Sequence, residues 1–288
     1  MTEQQSAGSP QDSAEDSAAD NAADSADQTV RYEVEDGVAT ITLDRPEAMN
    51  GLDVATKEAL LASVRRASDD DAARCVVLTG TGRAFCVGQD LKEHVQILRG
   101  SDASSLFRTV DEHYNPTVET LATMAKPVVA AVNGVAAGAG ASLAFACDFR
   151  ILAESAGFNL AFTGVGLSCD TGSSWTLPRL VGRARAMELL YFPTTLSSAE
   201  SEKLGLATKV VPDADFAAEV TAFASRLAHG PTTAYGAIRR SVAHAAGHDL
   251  TDALAFESRM MTLTGATDDH RKAVDAFLSK EKPTFTGS

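Results

Sequence analysis

The first 28 residues contain no lysine, no arginine and no aromatic side chain. They hold Glu3, Asp12, Glu15, Asp16, Asp20, Asp24 and Asp27 among serines, alanines and glutamines, seven of the excess negatives behind a net charge of -14 over 288 residues. Unopposed charge with so little apolar surface is expected to leave this tail disordered. It has neither the basic start and apolar centre of a signal peptide nor the basic character of a transit peptide. The remainder of the chain is only mildly acidic, which argues against a nucleic-acid partner. Cysteine is scarce: Cys75, Cys86, Cys147 and Cys169 are scattered, with no CxxC pair. That excludes a disulfide framework and fits a reducing cytoplasm. The histidines form no metal-ligand pattern, because His244 and His248 lack the glutamate of a zinc-protease motif, so no metal is expected. The charge-free stretch from Pro127 to Cys147 is mostly alanine and glycine, with Asn133 and Ser142 inside it. It is too polar and too small-sided for a membrane span, and no membrane partner is expected.

That stretch is nevertheless the most informative in the chain. Val128 to Val132 is a β-branched apolar run that reads as a buried strand. Asn133-Gly134 break it, a small-residue turn runs from Ala136 to Gly140, and Ala141 to Cys147 reads as a buried helix. A strand, a glycine turn and a helix in that order aim free backbone N–H groups at whatever lies over the turn. A carbonyl oxygen gaining negative charge suits such a turn. A dinucleotide fingerprint would need a small residue where Leu143 stands. Tight packing of the helix on a sheet is the competing reading.

The same pattern recurs along the chain. Val30–Glu35 and Val38–Leu43 alternate as a hairpin across Asp36-Gly37. Asp53 is placed to cap a helix through about Ser68, with Ala55, Leu60, Leu61 and Val64 on one face. Cys75–Gly80 is a short strand, and Arg83 to Glu93 is a second strand, turn and helix start. Residues 93–125 read as helical with Pro116 as a break, and Phe149–Ala153 as a further strand. After Pro212 the chain is almost unbroken helix through about Phe277. Alternation of this kind predicts an α/β architecture with its ligand site at strand C-terminal ends. The expected division is a tail over 1–28, a core over 29–220 and a helical segment over 221–288.

Several segments together resemble the enoyl-CoA hydratase/isomerase (crotonase) superfamily. They are Leu43-Asp-Arg-Pro-Glu-Ala-Met-Asn50, Gly82-Arg-Ala-Phe-Cys-Val-Gly-Gln-Asp-Leu-Lys92, Ala125-Lys-Pro-Val-Val-Ala-Ala-Val-Asn-Gly134, Leu204-Gly-Leu-Ala-Thr-Lys-Val-Val211 and Lys282-Pro-Thr-Phe285. The resemblance spans residues 29–288. It implies a crotonase-like (ClpP/crotonase) spiral of ββα turns with a C-terminal helical trimerisation segment, assembling as a homotrimer or hexamer. It implies an acyl-CoA thioester as substrate, with coenzyme A entering as part of that substrate and no further cofactor. The family's two oxyanion-hole N–H groups fall on Gln89 and on Ala139, in the middle of Gly138-Ala-Gly140. As backbone donors, these two are expected to need no special side chain.

The acid/base groups depart from the hydratase pattern. Where the family's hydratases carry two glutamates, this chain has Ser142 and Phe162, neither of which shuttles protons as a carboxylate does. Asp170 stands at a position resembling the proton-abstracting aspartate of dienoyl-CoA isomerases, and residues 161–182 look like ring-isomerising members of phenylacetyl-CoA breakdown. Within the layer formed by 158–175, Asp170 is the only carboxylate. Phe158, Phe162, Leu167 and Trp175 are expected to make its surroundings apolar, which raises a carboxylate's pKa. Capping the helix that begins near Thr171 is the alternative role for Asp170. The expected activity is an enoyl-CoA isomerisation, with hydration or a catalytically silent acyl-CoA-binding role as the alternatives. For the coenzyme, the resemblance points to Arg45, Ala48, Cys86, Gln89, Asp90 and Leu91. Lys282 and Phe285 join them from the end of the chain, where a neighbouring subunit could supply them.

Overall fold

The computed structural model describes residues 28–100 and 106–288, so the acidic segment expected to be disordered lies outside the described residues. Order begins with the hairpin. β1 (Val30–Glu35) and β2 (Val38–Leu43) pair antiparallel, from Val30 opposite Leu43 to Glu35 opposite Val38. On β2, Ala39, Ile41 and Leu43 point inward and are fully buried, the period-two alternation of a strand with one covered face. Helix α1 (Val54–Asp69) starts where Asp53 accepts the Thr56 N–H at 2.9 Å. It buries Leu60, Leu61 and Val64, while Ala55, in the first turn and expected on the same face, is exposed. Its last turn is closed from outside: the Lys126 ammonium donates to Ala67 O at 3.0 Å and Asp70 O at 2.8 Å, satisfying carbonyls that a helix end leaves free.

One unit then repeats three times. The first copy is β3 (Cys75–Gly80), β4 (Ala84–Cys86) and α2 (Leu91–Arg99). A π-turn over Val110–Tyr114 leads into α3 (Asn115–Thr123). Pro116, expected to break the helix, sits where the π-helical turn passes into α3, and the backbone stays helical through that junction. The second copy is β5 (Val128–Val132), β6 (Val135–Ala137) and α4 (Ala139–Ala146). The third is β7 (Phe149–Ala153), β8 (Gly157–Asn159) and α5 (Ser173–Tyr191). The first strand of each unit joins one sheet, of order β1-β2-β3-β5-β7-β10, and the second joins another, of order β4-β6-β8-β9. β9 (Leu196–Ser197), α6 (Ser198–Lys203) and β10 (Lys209–Val211) follow, β9 pairing antiparallel with β8 and β10 parallel with β7 at the sheet edges. Each repeat therefore advances one strand in both sheets, which is the spiral of ββα turns that the resemblance implies. Asn133 holds one corner of it, accepting the Gly80 N–H at 3.2 Å and donating to Gly82 O at 3.0 Å and Ala84 O at 3.1 Å.

Four helices follow: α7 (Phe216–Ala228), α8 (Thr232–Ala245), α9 (Leu250–Gly265) and α10 (Asp268–Ser279). The boundary expected at 220/221 falls inside α7, whose Ala224, Leu227 and Ala228 pack onto Cys75, Val77, Val129 and Ile151 of the sheet. Helix α8 is tied down by Arg239, which donates to Asp148 Oδ1 at 2.8 Å, Leu121 O at 2.7 Å and Lys126 O at 2.9 Å. Helices α9 and α10 bury no apolar side chain. Helix α9 buries no residue, and Leu250, Leu254, Met261, Phe277 and Leu278 of the pair are exposed. Among the described residues no helix is long and apolar enough to cross a membrane.

Candidate active site

β4 and β6 lie side by side and parallel, with Ala84 opposite Val135 and Cys86 opposite Ala136. Their C-terminal ends therefore emerge together, and each is followed by a glycine turn and a helix. The two turns touch. A Cβ on Gly140 would lie 2.1 Å from Cys86 O, and one on Gly88, at φ +81, would lie 2.8 Å from Ala137 O and 3.1 Å from the Ala139 nitrogen. Only glycine permits that approach. Gly138, whose N–H donates to Asn159 O at 2.9 Å, links the second turn to the end of β8. Among the described residues neither the Gln89 nor the Ala139 N–H has a hydrogen-bond acceptor. Ala139 is the first residue of α4, so its N–H is one of the donors a helix leaves free at its positive end.

The first turn is bound to the 45–53 loop. Leu52 donates its N–H to Gly88 O at 2.8 Å and accepts the Asp90 N–H at 3.1 Å. Because a peptide is planar and trans, a carbonyl held toward Leu52 sends the Gln89 N–H the opposite way. Asn50, fully buried, fastens the loop to β4. It accepts the Arg45 N–H at 2.9 Å and donates to Thr81 O at 3.0 Å, Ala84 O at 2.8 Å and Phe85 O at 3.2 Å. In the sequence Asn50 only closes the Leu43–Asn50 segment of the resemblance, and nothing local marks it as a four-bond anchor.

Asp170 begins a sharp turn. Thr171, a buried β-branched residue, is held at φ 52, and Gly172 follows at φ 76. A left-handed threonine is strained backbone that surrounding packing must enforce. The cap of α5 is Gly172, with no side-chain bond, so the Asp170 carboxylate does not cap that helix. The Thr171 hydroxyl donates to it at 2.7 Å. Burial pushes the Asp170 pKa above the ordinary carboxylate value, against the opposing pull of that hydroxyl and of its own backbone N–H. The Tyr114 phenol is raised beyond its usual range, first by burial and then by Cys86, the Asp170 charge and Glu93. Tyr114 also donates to the Gln89 side chain at 2.7 Å.

A family model described as enoyl-CoA hydratase/isomerase matches residues 33–288. The chain belongs to this family. It is 44% identical over 259 residues to a protein of Rhodobacter capsulatus named "Probable enoyl-CoA hydratase", covering 90% of this chain and 98% of that one. It is 42% identical over 254 residues to the 1,2-epoxyphenylacetyl-CoA isomerase of Escherichia coli, covering 88% of this chain and 97% of that one. A crystal structure of an enoyl-CoA hydratase/isomerase family protein from Mycobacterium abscessus superposes with a TM-score of 0.86 at 43% identity, over 90% of this chain and 100% of that one. The fold is the crotonase fold, and the chain is an acyl-CoA enzyme of the hydratase/isomerase family.

Of the two positions where hydratases of this family carry glutamates, Ser142 is fully buried on α4 and donates to Gly138 O at 3.0 Å. Phe162 is a buried member of the core. Neither brings a carboxylate to the site. Trp175, expected beside Asp170, is 45% exposed and lies under the Arg179 guanidinium, 4.1 Å from its ring centre. It lines a different, apolar cavity with Ile238 and Val242 of α8.

The residues expected to meet coenzyme A fall in two groups. Arg45, Ala48, Gln89, Asp90 and Leu91 share the loop and turn just described. The Arg45 guanidinium is engaged by Asp53 at 3.0 Å and by Asp90 at 3.2 Å, and donates to Gly51 O at 2.6 Å. Burial acts to raise the pKa of Asp90, but the Glu93 and Lys92 N–H groups and Arg45 outweigh it and hold the carboxyl below its usual value. Leu91 is exposed. The Cys86 side chain is wholly buried, and burial pushes its thiol up to about 12 despite the Gly88 N–H. Its part in the site is the backbone carbonyl against Gly140. Lys282 and Phe285 are not brought to this place within one chain. Phe285 O accepts from Arg74 at 3.1 Å, at the start of β3, a strand length of roughly 18 Å from the turn that follows its end.

Proposed function

We propose that this enzyme isomerises an acyl-CoA thioester, moving a double bond or rearranging a ring, in fatty-acid or aromatic-acid degradation. The observation that carries the reading is Asp170: one half-buried carboxylate with a raised pKa, in the turn before α5, whose Ser173 is hydrogen-bonded to Ser142 of the helix that begins at Ala139, with Ser142 and Phe162 at the two positions the resemblance assigns to the hydratase glutamates. The thioester oxygen accepts from the Gln89 and Ala139 N–H groups. The Asp170 carboxylate takes a proton from the α-carbon, and the electron pair moves into an enolate whose oxygen the two donors hold. One such donor is worth roughly 2.7–4 kcal/mol of barrier. The Asp170 carboxyl then returns the proton at the γ-carbon and is a carboxylate again, with no atom gained or lost. A positioned base contributes typically ~10²–10⁴-fold.

The 42% identity to an epoxyphenylacetyl-CoA isomerase favours ring chemistry within this class. The 44% identity to a protein named as a hydratase supports hydration as the second reading, for which the site lacks a paired carboxylate. We also propose a homotrimer or hexamer working in a reducing cytoplasm, in keeping with four free thiols and with the apolar residues on α9 and α10. In it the partner subunit's Lys282 and the partner subunit's Phe285 would reach the coenzyme. The deciding experiment is product analysis over linear and aromatic enoyl-CoA and epoxyacyl-CoA thioesters, with wild type and Asp170→Asn. Isomerised product from the wild type and its loss in Asp170→Asn is expected. Hydration at hydratase-like rates would overturn the isomerase reading.

A further inference from the structure

The Gln89 side chain is not idle, although a backbone donor needs none. Its amide is enclosed by three buried or half-buried groups from three separate elements. Its Oε1 accepts from the Tyr114 hydroxyl at 2.7 Å and from the Lys57 ammonium at 3.2 Å, and its Nε2 donates to Glu93 Oε2 at 3.1 Å. Lys57 and Glu93 also pair with each other at 3.3 Å. The Lys57 side chain is 2% exposed, a depth at which an ammonium persists only with partners. The other Glu93 oxygen accepts the Val54 N–H at 2.8 Å, so the cluster joins the starts of α1 and α2 and reaches Tyr114 before α3.

We propose that Lys57, Glu93 and Tyr114 are positioning residues: through the Gln89 side-chain amide they fix the direction of the Gln89 peptide N–H in the oxyanion hole. This rests on Gln89 and Ala139 being the donors, and not on which reaction follows. Gly88 precedes Gln89 at φ +81, and a glycine hinge leaves the 88–89 peptide free to rotate unless both sides are held. Leu52 holds the carbonyl side, as described above. The amide cluster holds the other, because rotating Gln89 would strip Tyr114, Lys57 and Glu93 of a shared partner inside the protein. Oε1 takes two donors and Nε2 meets an acceptor, so among the described residues three of the hydrogen bonds the amide can make are made. Orientation matters steeply here, since a displacement of about 1 Å at a reacting centre can cost ~10²-fold in rate.

The test reads the hole directly. Crotonyl-CoA labelled with carbon-13 at the thioester carbonyl is bound to the enzyme, and the carbonyl stretch is followed by difference infrared spectroscopy. The wild type should lower the stretching frequency, as two donors polarise the bond, and Asp170→Asn should keep that shift. Tyr114→Phe, and the charge-free pair Lys57→Met with Glu93→Gln, should lose most of it. Their kcat on the isomerised substrate should fall by ~10–10²-fold with KM changed little. Gln89→Met keeps the backbone N–H and removes the amide, and in that background Tyr114→Phe should have no further effect on the stretch. A shift that survives in both sets of variants, or a Tyr114→Phe effect undiminished in Gln89→Met, overturns the inference and leaves the isomerase reading standing. No shift in the wild type removes the hole itself and both readings with it.

Discussion

The Ser142 hydroxyl, on the helix behind the second turn, is hydrogen-bonded to the hydroxyl of Ser173, the first residue of α5. Both side chains are fully buried. The position that would carry a carboxylate in a hydratase is here a fastener between α4 and the segment that presents Asp170.

Ser142→Ala should therefore lower stability, because it leaves Ser173 without that partner, a loss of about 1–3 kcal/mol. Ser142→Glu should do worse, since it forces a charge into a closed space. Thermal melting and a crotonyl-CoA hydration assay check both. A Ser142→Glu protein that melts like wild type and gains hydration would refute the fastener.

Asp170 should trade stability for function. Its folded pKa is raised, so between the unfolded and folded values the folded chain binds more protons. Its contribution to stability is present below the ordinary carboxylate range and is lost as pH rises through the folded pKa. Asp170→Asn should melt at or above the wild-type temperature near neutral pH while its turnover falls ~10²–10⁴-fold. Wild-type kcat should fall on acidification, with a midpoint above that of a free aspartate. A mutant that melts earlier, or a rate with an unshifted midpoint, would count against a buried base.

Gly140 is the point where the two turns are closest. A methyl group there would meet Cys86 O at 2.1 Å and its carbonyl carbon at 2.7 Å. Gly140→Ala must push β4 and α4 apart, with an overpacking cost of about 1–3 kcal/mol or more and a rate loss of ~10²-fold. Unchanged kcat in a folded Gly140→Ala enzyme would show that the two turns do not act together.

The apolar residues on α9 and α10 set an expectation for assembly. Met261 and Phe277 are 72% and 81% exposed in one chain, and apolar surface of this kind on neighbouring helices marks an interaction site. Sedimentation should give a trimer or hexamer, and Met261→Asp with Phe277→Asp should give smaller species. A wild-type monomer at micromolar concentration would sink the proposal.

Much of this was written in local sequence. The Asp36-Gly37 hairpin, the Asp53 cap, the strand from Val128 to Val132 and the turn ending at Gly140 each depend on residues within a few positions of one another. Chain order was enough to place Gln89 and Ala139 after successive strands. Tertiary structure alone decided what those residues touch. Glu93 lies four positions on, but the other two partners of the Gln89 amide lie 32 positions before it at Lys57 and 25 after it at Tyr114. They meet because the spiral stacks one repeat on the next. The same stacking sets Gly172 against Val118, 3.1 Å from where a Cβ would be, and holds Asp170 in a turn that leaves its carboxylate off the cap of α5. Periodicity and turn chemistry report free energies local to the chain. The environment of a buried amide or carboxylate is set by whichever distant segments the fold packs around it.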